Sequence, residues 1–458
     1  SDPDSCIPDA LKDFVFDLRD SVRTSQIASE QAILYSGTFR ELTAKYFAQG
    51  PWPSPQSIAS ECPNDPLFLA LYRELTLRHH HSISRPTVRD RVEGWHAYRT
   101  LFDLLIAEST KASDSTNDES ARPGPGTPAD PLYLLPEWTF DLLHEFVYQF
   151  QGFCQYRTAA FANAAKYVSP NDHADGDDDK TNSNDTNNDG NGGDANANDS
   201  KMKKKTSSAP HHVTESIDVL SQNRDAWAVE TVLFYLHRLV GIATTTTTDT
   251  SNDDTESQPK PSAPAFQHLS VFASVTLSRL ECLLGDYTAS LSALTPLAGI
   301  LFAPSLIGAT NAATPTTPIA PTTAQLVRTV FAARLSVSYH AGVSYLMLRR
   351  YKDATLVLGD ICAILQRGFK SGRVHGVIGG EGRVEQYSKQ YDRMIALLAI
   401  LTHACPGGNG RVGTGGGGGA GSVGSSGGSG GPLVVEDSVA RVVGDRHRTQ
   451  LSKIEAGE

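Results

Sequence analysis

The stretch from Glu137 to Arg157, EWTFDLLHEFVYQFQGFCQYR, constrains the fold of this chain more than any other, and no proline follows Pro136 within it. At about 100° per residue, Trp138, Leu142, Leu143, Phe146, Val147, Phe150, Phe153 and Cys154 share one half of a helical wheel. Asp141, His144, Glu145, Tyr148, Gln151 and Gln155 share the other. An apolar arc of roughly 180° is wider than the ~100° stripe of a helix lying on a single core. Such a helix needs neighbours on two sides, as in stacked helical repeats. Pro136 suits the first turn, where its missing N–H costs nothing.

Charge separates the part that can fold from the part that cannot. The net charge is −11, which disfavours an autonomous nucleic-acid binder, since those carry a basic surplus. Between Pro170 and Ser200, nine aspartates against one lysine account for −8 of it, leaving −3 for everything else. The six cysteines, Cys6, Cys62, Cys154, Cys282, Cys362 and Cys405, stand singly with no CxxC pair. That usage points to reduced, buried thiols in a cytosolic or nuclear compartment. No apolar run reaches the ~18 residues of a membrane span, and SDPDSCIPDA shows no secretory signal.

Taken in order, residues 1–108 read as an N-terminal helical subdomain. Leu11, Val15, Leu18 and Val22 recur at helical spacing, PWPSP at Pro51–Pro55 makes a rigid turn, and Asp65 or Asn64 is a natural cap before Pro66. A third helix is expected from Thr87 to Ile106. Residues 109–131 form a polar linker, 132–169 the central helix region, and 170–215 an Asp/Asn-rich insertion too polar to bury anything and so expected to be disordered. Residues 216–241 are helical again, and 242–265 are expected to be disordered. Residues 266–405 hold two similar helical hairpins and a further helix, with an Ala/Thr/Pro insertion near 303–323. In the hairpins, helix and tight turn are followed by Tyr287 or Tyr351, a small residue at +3 (Ser290, Ala354) and leucine at +7 (Leu294, Leu358). That is the corner of a tetratricopeptide-like repeat, the aromatic filling the gap between helices and the small residue letting them approach. Residues 406–432 form a Gly/Ser tether, and 433–458 one short C-terminal helix. With no strand pattern visible, the class is all-α.

The motifs that suggest chemistry have plainer explanations. Gly419–Gly424 matches GxGxxG and Gly424–Gly428 matches GxSxG, but neither follows a strand or opens a helix. Consecutive His79, His80 and His81 point in different directions, whereas a metal site needs i, i+3 or i+4 spacing; a solvated helix end is expected. Glu137, Asp141 and Glu145, one turn apart, could do acid/base work, yet near a helix start they read as a solvated ridge favoured by the dipole. Arg85, Arg89, Arg91, Lys201–Lys205 and the pair Arg349–Arg350 could touch RNA phosphates. The lysines are more simply neutralised by neighbouring aspartates, and the arginine pair by exposure at a corner. Asn184-Asp-Thr186 and Asn198-Asp-Ser200 match glycosylation acceptors without a secretory context. No catalytic, cofactor-binding or metal-binding residue is assigned, and no cofactor is expected.

Several segments, in order, are similar to the subunit L family of the eukaryotic translation initiation factor 3 complex. They are PWP and NDPLFLALYRELTLRH at Asn64–His79, HEFVYQFQGFCQYR at His144–Arg157, LLGDY at Leu283–Tyr287, YLMLRRYKDA at Tyr345–Ala354, and MIALLAILTHACP at Met394–Pro406. Ser290 stands where the family usually has alanine. The low-complexity tracts look like insertions into loops, which tolerate them because closure entropy rises slowly with length. VVEDSVARVVGDRHRTQLSKIEAGE resembles the lead-in to the family's C-terminal winged-helix (PCI) module, which this chain would then lack. The resemblance implies a TPR-like, PCI-type helical solenoid. It implies a cytoplasmic, non-catalytic scaffold that binds other initiation factor 3 subunits and, through them, the small ribosomal subunit in 43S assembly, with weak RNA contact possible and neither membrane nor small-molecule substrate involved. The alternatives are a direct RNA- or cap-binding module and a scaffold of a proteasome-lid or signalosome type.

Overall fold

The computed structural model describes residues 7–24, 28–59, 65–114, 132–167, 211–243, 264–297, 323–372, 381–404 and 435–456. Among them every regular element is helical. The expected Asp/Asn insertion, Ala/Thr/Pro insertion and Gly/Ser tether, with the GxGxxG and GxSxG matches, lie outside the described residues.

The N-terminal group opens with α1 (Asp9–Arg23) and α2 (Ala28–Ile33), which passes through a π-helical turn, Leu34–Thr38, into α3 (Phe39–Tyr46). Leu11, Phe14, Val15, Leu18 and Val22 of α1 are buried, as their spacing predicts. The PWP turn folds Trp52 back onto Phe39 (ring centroids 4.6 Å) and Phe14 (5.7 Å). Helix α4 (Pro66–Ile83) begins as expected: Asp65 accepts the Phe68 N–H at 3.0 Å and Pro66 fills the first turn. Asp65 also holds Arg23 at 2.6 Å, tying this cap to the end of α1. Helix α5 (Val88–Asp114) continues two turns beyond Ile106, because Ala107–Asp114 contains neither glycine nor proline to stop it.

Helix α6 (Pro136–Ala165) contains the stretch that organises the sequence, and it is packed on two sides. On one side Phe146 meets Tyr98 and Phe102 of α5 and Trp227, which lies between α7 (His211–Gln222) and α8 (Val229–Val240). On the other, Phe140 meets Phe272 of α9 (Pro264–Leu284) edge to face at 5.7 Å. The most enclosed helix is nevertheless α9, whose buried residues cover its whole circumference from Val271 to Leu280. The polar residues Ser274, Thr276 and Ser278 in that span are small hydroxyls with hydrogen-bond partners inside the protein, which permits cover on all sides.

The two hairpins are α9 with α10 (Tyr287–Ala293), and α12 (Phe331–Met347) with α13 (Tyr351–Lys370); the short α11 (Thr323–Thr329) precedes the second. Both corners turn through the left-handed region, at Gly285 (φ 91°) and Arg349 (φ 60°). The small residues Ser290 and Ala354 and the leucines Leu294 and Leu358 are buried, whereas Tyr287 and Tyr351 are only half-buried. The Ser290 hydroxyl donates to the Ser278 carbonyl at 2.9 Å and accepts from Ser344 at 3.1 Å, so it joins α9, α10 and α12. At Gly342 α12 lies tight against α13: an added Cβ would lie 2.5 Å from Leu358 Cδ2. Leu358 is fully buried and cannot retreat. Gly342→Ala is therefore expected to destabilise by about 1–3 kcal/mol through overpacking, despite the helix propensity it gains. Urea denaturation checks this, and an unchanged or higher midpoint would place the two helices further apart.

Helices α14 (Glu381–Ala404) and α15 (Asp437–Ala456) complete the stack. The C-terminal helix docks through Val439 and Val443, with Ser438 donating to Gln366 at 2.8 Å and Arg367 paired to Glu436 at 2.6 Å.

Candidate functional site

The middle of the polar half of α6 is partly covered, which corrects the expected solvated ridge, while Tyr148 and Gln155 on the same half are exposed. Glu137 is exposed, but Asp141, His144 and Glu145 are each partly buried under neighbouring helices. The π-helical turn swings Tyr35 onto Trp138, with rings stacked at 5.1 Å. Tyr35 Oη then donates to Asp141 Oδ2 at 2.9 Å and accepts from Arg78 Nη1 at 2.7 Å. Arg78 donates to Glu74 at 2.8 Å, and Tyr98 donates to the other Glu74 oxygen at 3.1 Å. From the far end of the chain, Arg383 reaches Asp141 at 3.2 Å. One polar chain thus joins α5, α4, the π-turn, α6 and α14. Glu74 is 2% exposed, and a buried carboxylate must be paired and hydrogen-bonded. Burial acts to lower the Arg78 pKa, but Glu74, Tyr35 and Asp141 together hold it well above its usual value. Burial raises that of Tyr35.

A second cluster lies toward α9. Arg279 of α9, 9% exposed, donates to His144 Nδ1 at 2.8 Å and to Gln151 Oε1 at 2.9 Å. Burial, then the Arg279 charge, pushes the His144 pKa down to about 3 and that of His340 to about 4. Both rings are neutral, so His144 can accept from the guanidinium. Burial lowers Arg279 itself only to about 10, so it stays charged at neutral pH. Burial also raises Glu145 to about 7, against the hydrogen bond from Gln149. A carboxyl poised there has the pKa of a general acid or base, but Glu145 is not among the residues lining the cleft described next.

The histidine run also departs from the solvated helix end. His79 is 8% exposed, with Nε2 3.0 Å from the Phe47 carbonyl, and burial followed by the His80 charge lowers His81 to about 4. Among the described residues no group of His, Cys, Asp or Glu could hold a metal. No described helix is long and apolar enough to cross a membrane.

These pKa shifts predict acid lability. Unfolded, His81, His144 and His340 would titrate at 6.5; folded, they resist protonation. Between pH 6.5 and 4.5 the unfolded state binds these protons, so their contribution to stability is lost as pH falls. Glu145 opposes them, because its raised pKa stabilises the folded state on acidification. Three against one leaves stability roughly 2–4 kcal/mol lower at pH 5 than at pH 7. Urea midpoints at the two pH values test this; equal midpoints would contradict the buried placement of the rings.

Beside Asp141 opens a cleft of about 740 Å³ between the N-terminal helices, α6, α11, α12 and α14. Arg40, Arg328 and Arg383 stand exposed on its walls, with Glu137 and Asp141 as its carboxylates. Of the basic residues marked in the sequence, Arg89 pairs with Glu215 at 2.9 Å and Arg350 with Asp353 at 2.7 Å. Arg91 lies half-buried over the Tyr156 ring. Sequence reading missed Tyr35, Glu74, Arg78, Arg279, His340 and Arg383. The one legible signal was Arg279, a cation between Leu277 and Leu280 in a helix rich in apolar residues.

A helical-repeat chain in which a buried set of charged residues joins neighbouring helices is in keeping with what comparison finds. The profile of the family described as RNA polymerase I-associated factor PAF67 matches residues 90–458, and the chain belongs to that family. Its relatives carry a more particular name. The Nematostella vectensis protein named eukaryotic translation initiation factor 3 subunit L is 25% identical over 405 residues, which are 87% of this chain and 59% of that protein. The proteins of the same name from Gallus gallus and Homo sapiens are each 27% identical over 374 residues, 80% of this chain and 50% of theirs. The chain spans about half the length of the curated relatives it matches.

Proposed function

We propose that this chain is a cytoplasmic, non-catalytic scaffold subunit of the eukaryotic translation initiation factor 3 complex, supporting 43S and 48S pre-initiation complex assembly on the small ribosomal subunit. The observation that carries the reading is the shared name of relatives matching 80–87% of the chain. The physical character of the polar clusters supports it. Asp141, His144 and Arg279 are spent on joining helices, and partner contact falls to what remains outside. That exposed surface includes Leu283 and Leu284 at one hairpin corner, Met347 and Leu348 at the next, and the arginine-lined cleft. Exposed apolar side chains grouped at successive corners suit subunit contacts.

The test is to tag the chain and purify it gently from cytoplasm. Other initiation factor 3 subunits should accompany it, and their absence would sink the reading. A direct RNA contact would use Arg40, Arg328 and Arg383, and would show as RNA affinity of the isolated chain that falls steeply with salt.

A further inference from the structure

Arg40 of α3 and Arg328 of α11 stand exposed on the walls of the cleft beside Asp141, and neither has an ion-pair partner among the described residues. The other two arginines of the lining are spent, Arg78 on Glu74 at 2.8 Å and Arg383 on Asp141 at 3.2 Å. One carboxylate of the lining, Glu137, is exposed and likewise unpaired among the described residues. In a chain of net charge −11, two unpaired arginines in one cleft make a local site of the opposite sign. The wall that carries Arg40 follows directly on the π-helical turn, whose Tyr35 and Ser36 also line the cleft. Such turns give up regular helix geometry and are frequent at functional positions.

The rings in the lining are already engaged. Tyr35 has Trp138 stacked on it at 5.1 Å and the Arg78 guanidinium 5.7 Å from its centroid. Phe39 is stacked on Trp52 at 4.6 Å, and Phe331 meets Tyr387 edge to face at 5.5 Å. A single nucleic-acid strand needs open ring faces and a basic track along its phosphates, and two unpaired arginines neutralise few of those. A run of phosphates also supplies acceptors alone and would face Glu137. An acidic polypeptide supplies both kinds of group that this cleft lacks: carboxylates for the planar arginine forks and backbone N–H donors for Glu137. Half-buried Phe39, Phe331 and Ala332 leave apolar surface beside the charges for an apolar side chain of the same segment.

We propose that this cleft docks an acidic segment of a partner polypeptide, its glutamate or aspartate side chains accepting from Arg40 and Arg328 and an apolar residue lying against the half-buried rings. The charge of the ligand follows from the cleft; that a subunit of initiation factor 3 supplies it rests on the scaffold reading.

The experiment is fluorescence anisotropy on the whole chain with a short blocked peptide alternating glutamate and leucine, its glutamine and lysine analogues, and an oligouridylate of matching charge. The acidic peptide is expected to bind at least about tenfold tighter than either analogue and to weaken as salt rises. Arg40→Glu and Arg328→Glu should each weaken it about tenfold, since each exchanges an attraction for a repulsion. Both side chains are exposed and unpaired, so these variants should melt with the parent. Arg238→Glu makes the same charge change at an exposed position of α8 outside the lining and should leave binding unaltered. Equal binding of the three peptides, tighter binding of the oligouridylate, an equal loss in Arg238→Glu, or no binding of the acidic peptide would each overturn the proposal. Binding that arises only once Pro170–Ser200 is deleted would overturn it too, the chain's own aspartates then being the occupant. Acidic-peptide binding by a chain that fails to co-purify with initiation factor 3 subunits would preserve this site while removing the scaffold reading.

Discussion

Replacing Phe146 with alanine lowers the stability of the chain by about 3–5 kcal/mol, the cost of deleting a buried aromatic and leaving a cavity. Phe146 is fully buried, with its ring 5.2 Å from Tyr98, 4.9 Å from Phe102 and 5.4 Å from Trp227. Those rings come from α5 and from the turn before α8, so their contact with Phe146 fastens two sequence-distant groups to α6. They cannot collapse into the vacated space without moving whole helices, which puts the loss toward the upper part of the range. Phe146→Leu keeps most of the volume and should lose much less. Urea denaturation followed by tryptophan fluorescence checks both, because Trp227 lines the site. An alanine variant with the parent's midpoint would contradict the position of Phe146 at this junction.

Arg78→Ala is expected to cost a similar 3–5 kcal/mol for a different reason. Glu74 is 2% exposed, and Arg78 is its one cationic partner among the described residues, at 2.8 Å. Removing the guanidinium strands a buried carboxylate and takes a donor from Tyr35, whose link to Asp141 helps hold the N-terminal helices to α6. The penalty is largely that of the unpaired charge, so the double variant Glu74→Leu/Arg78→Met should recover most of the loss. A double-mutant cycle reads this directly. If the double variant is as unstable as Arg78→Ala, the pair is not buried as described.

The helix stretch and the hairpin corners were legible because their causes are local. Periodicity in Glu137–Arg157 depends on residues three and four apart, the Asp65 cap on an N–H three residues away, and the turn at Gly285 on the freedom of one residue. The width of the apolar arc on α6 even required a second packing partner, which α9 supplies. The corner tyrosines were legible in position but not in depth, since their cover depends on neighbouring repeats.

The candidate site was not legible in the same way. Asp141 and Arg383 are 242 residues apart in the chain, and Tyr35 reaches Asp141 only because a π-turn re-aims it. Asp141, His144 and Glu145 occupy the polar half of the α6 wheel, as their types dictate. A wheel records direction around one axis and nothing of what lies beyond it. The sequence alone therefore determined an all-helical chain, its repeat corners and the helix that needs two neighbours, because propensity, capping and periodicity act within a few residues. Tertiary structure alone decided that Asp141, His144 and Glu145 on the polar face of that helix are partly buried, with a neutral His144 and a Glu145 carboxyl raised to about 7, because burial and pairing depend on atoms that only folding brings together.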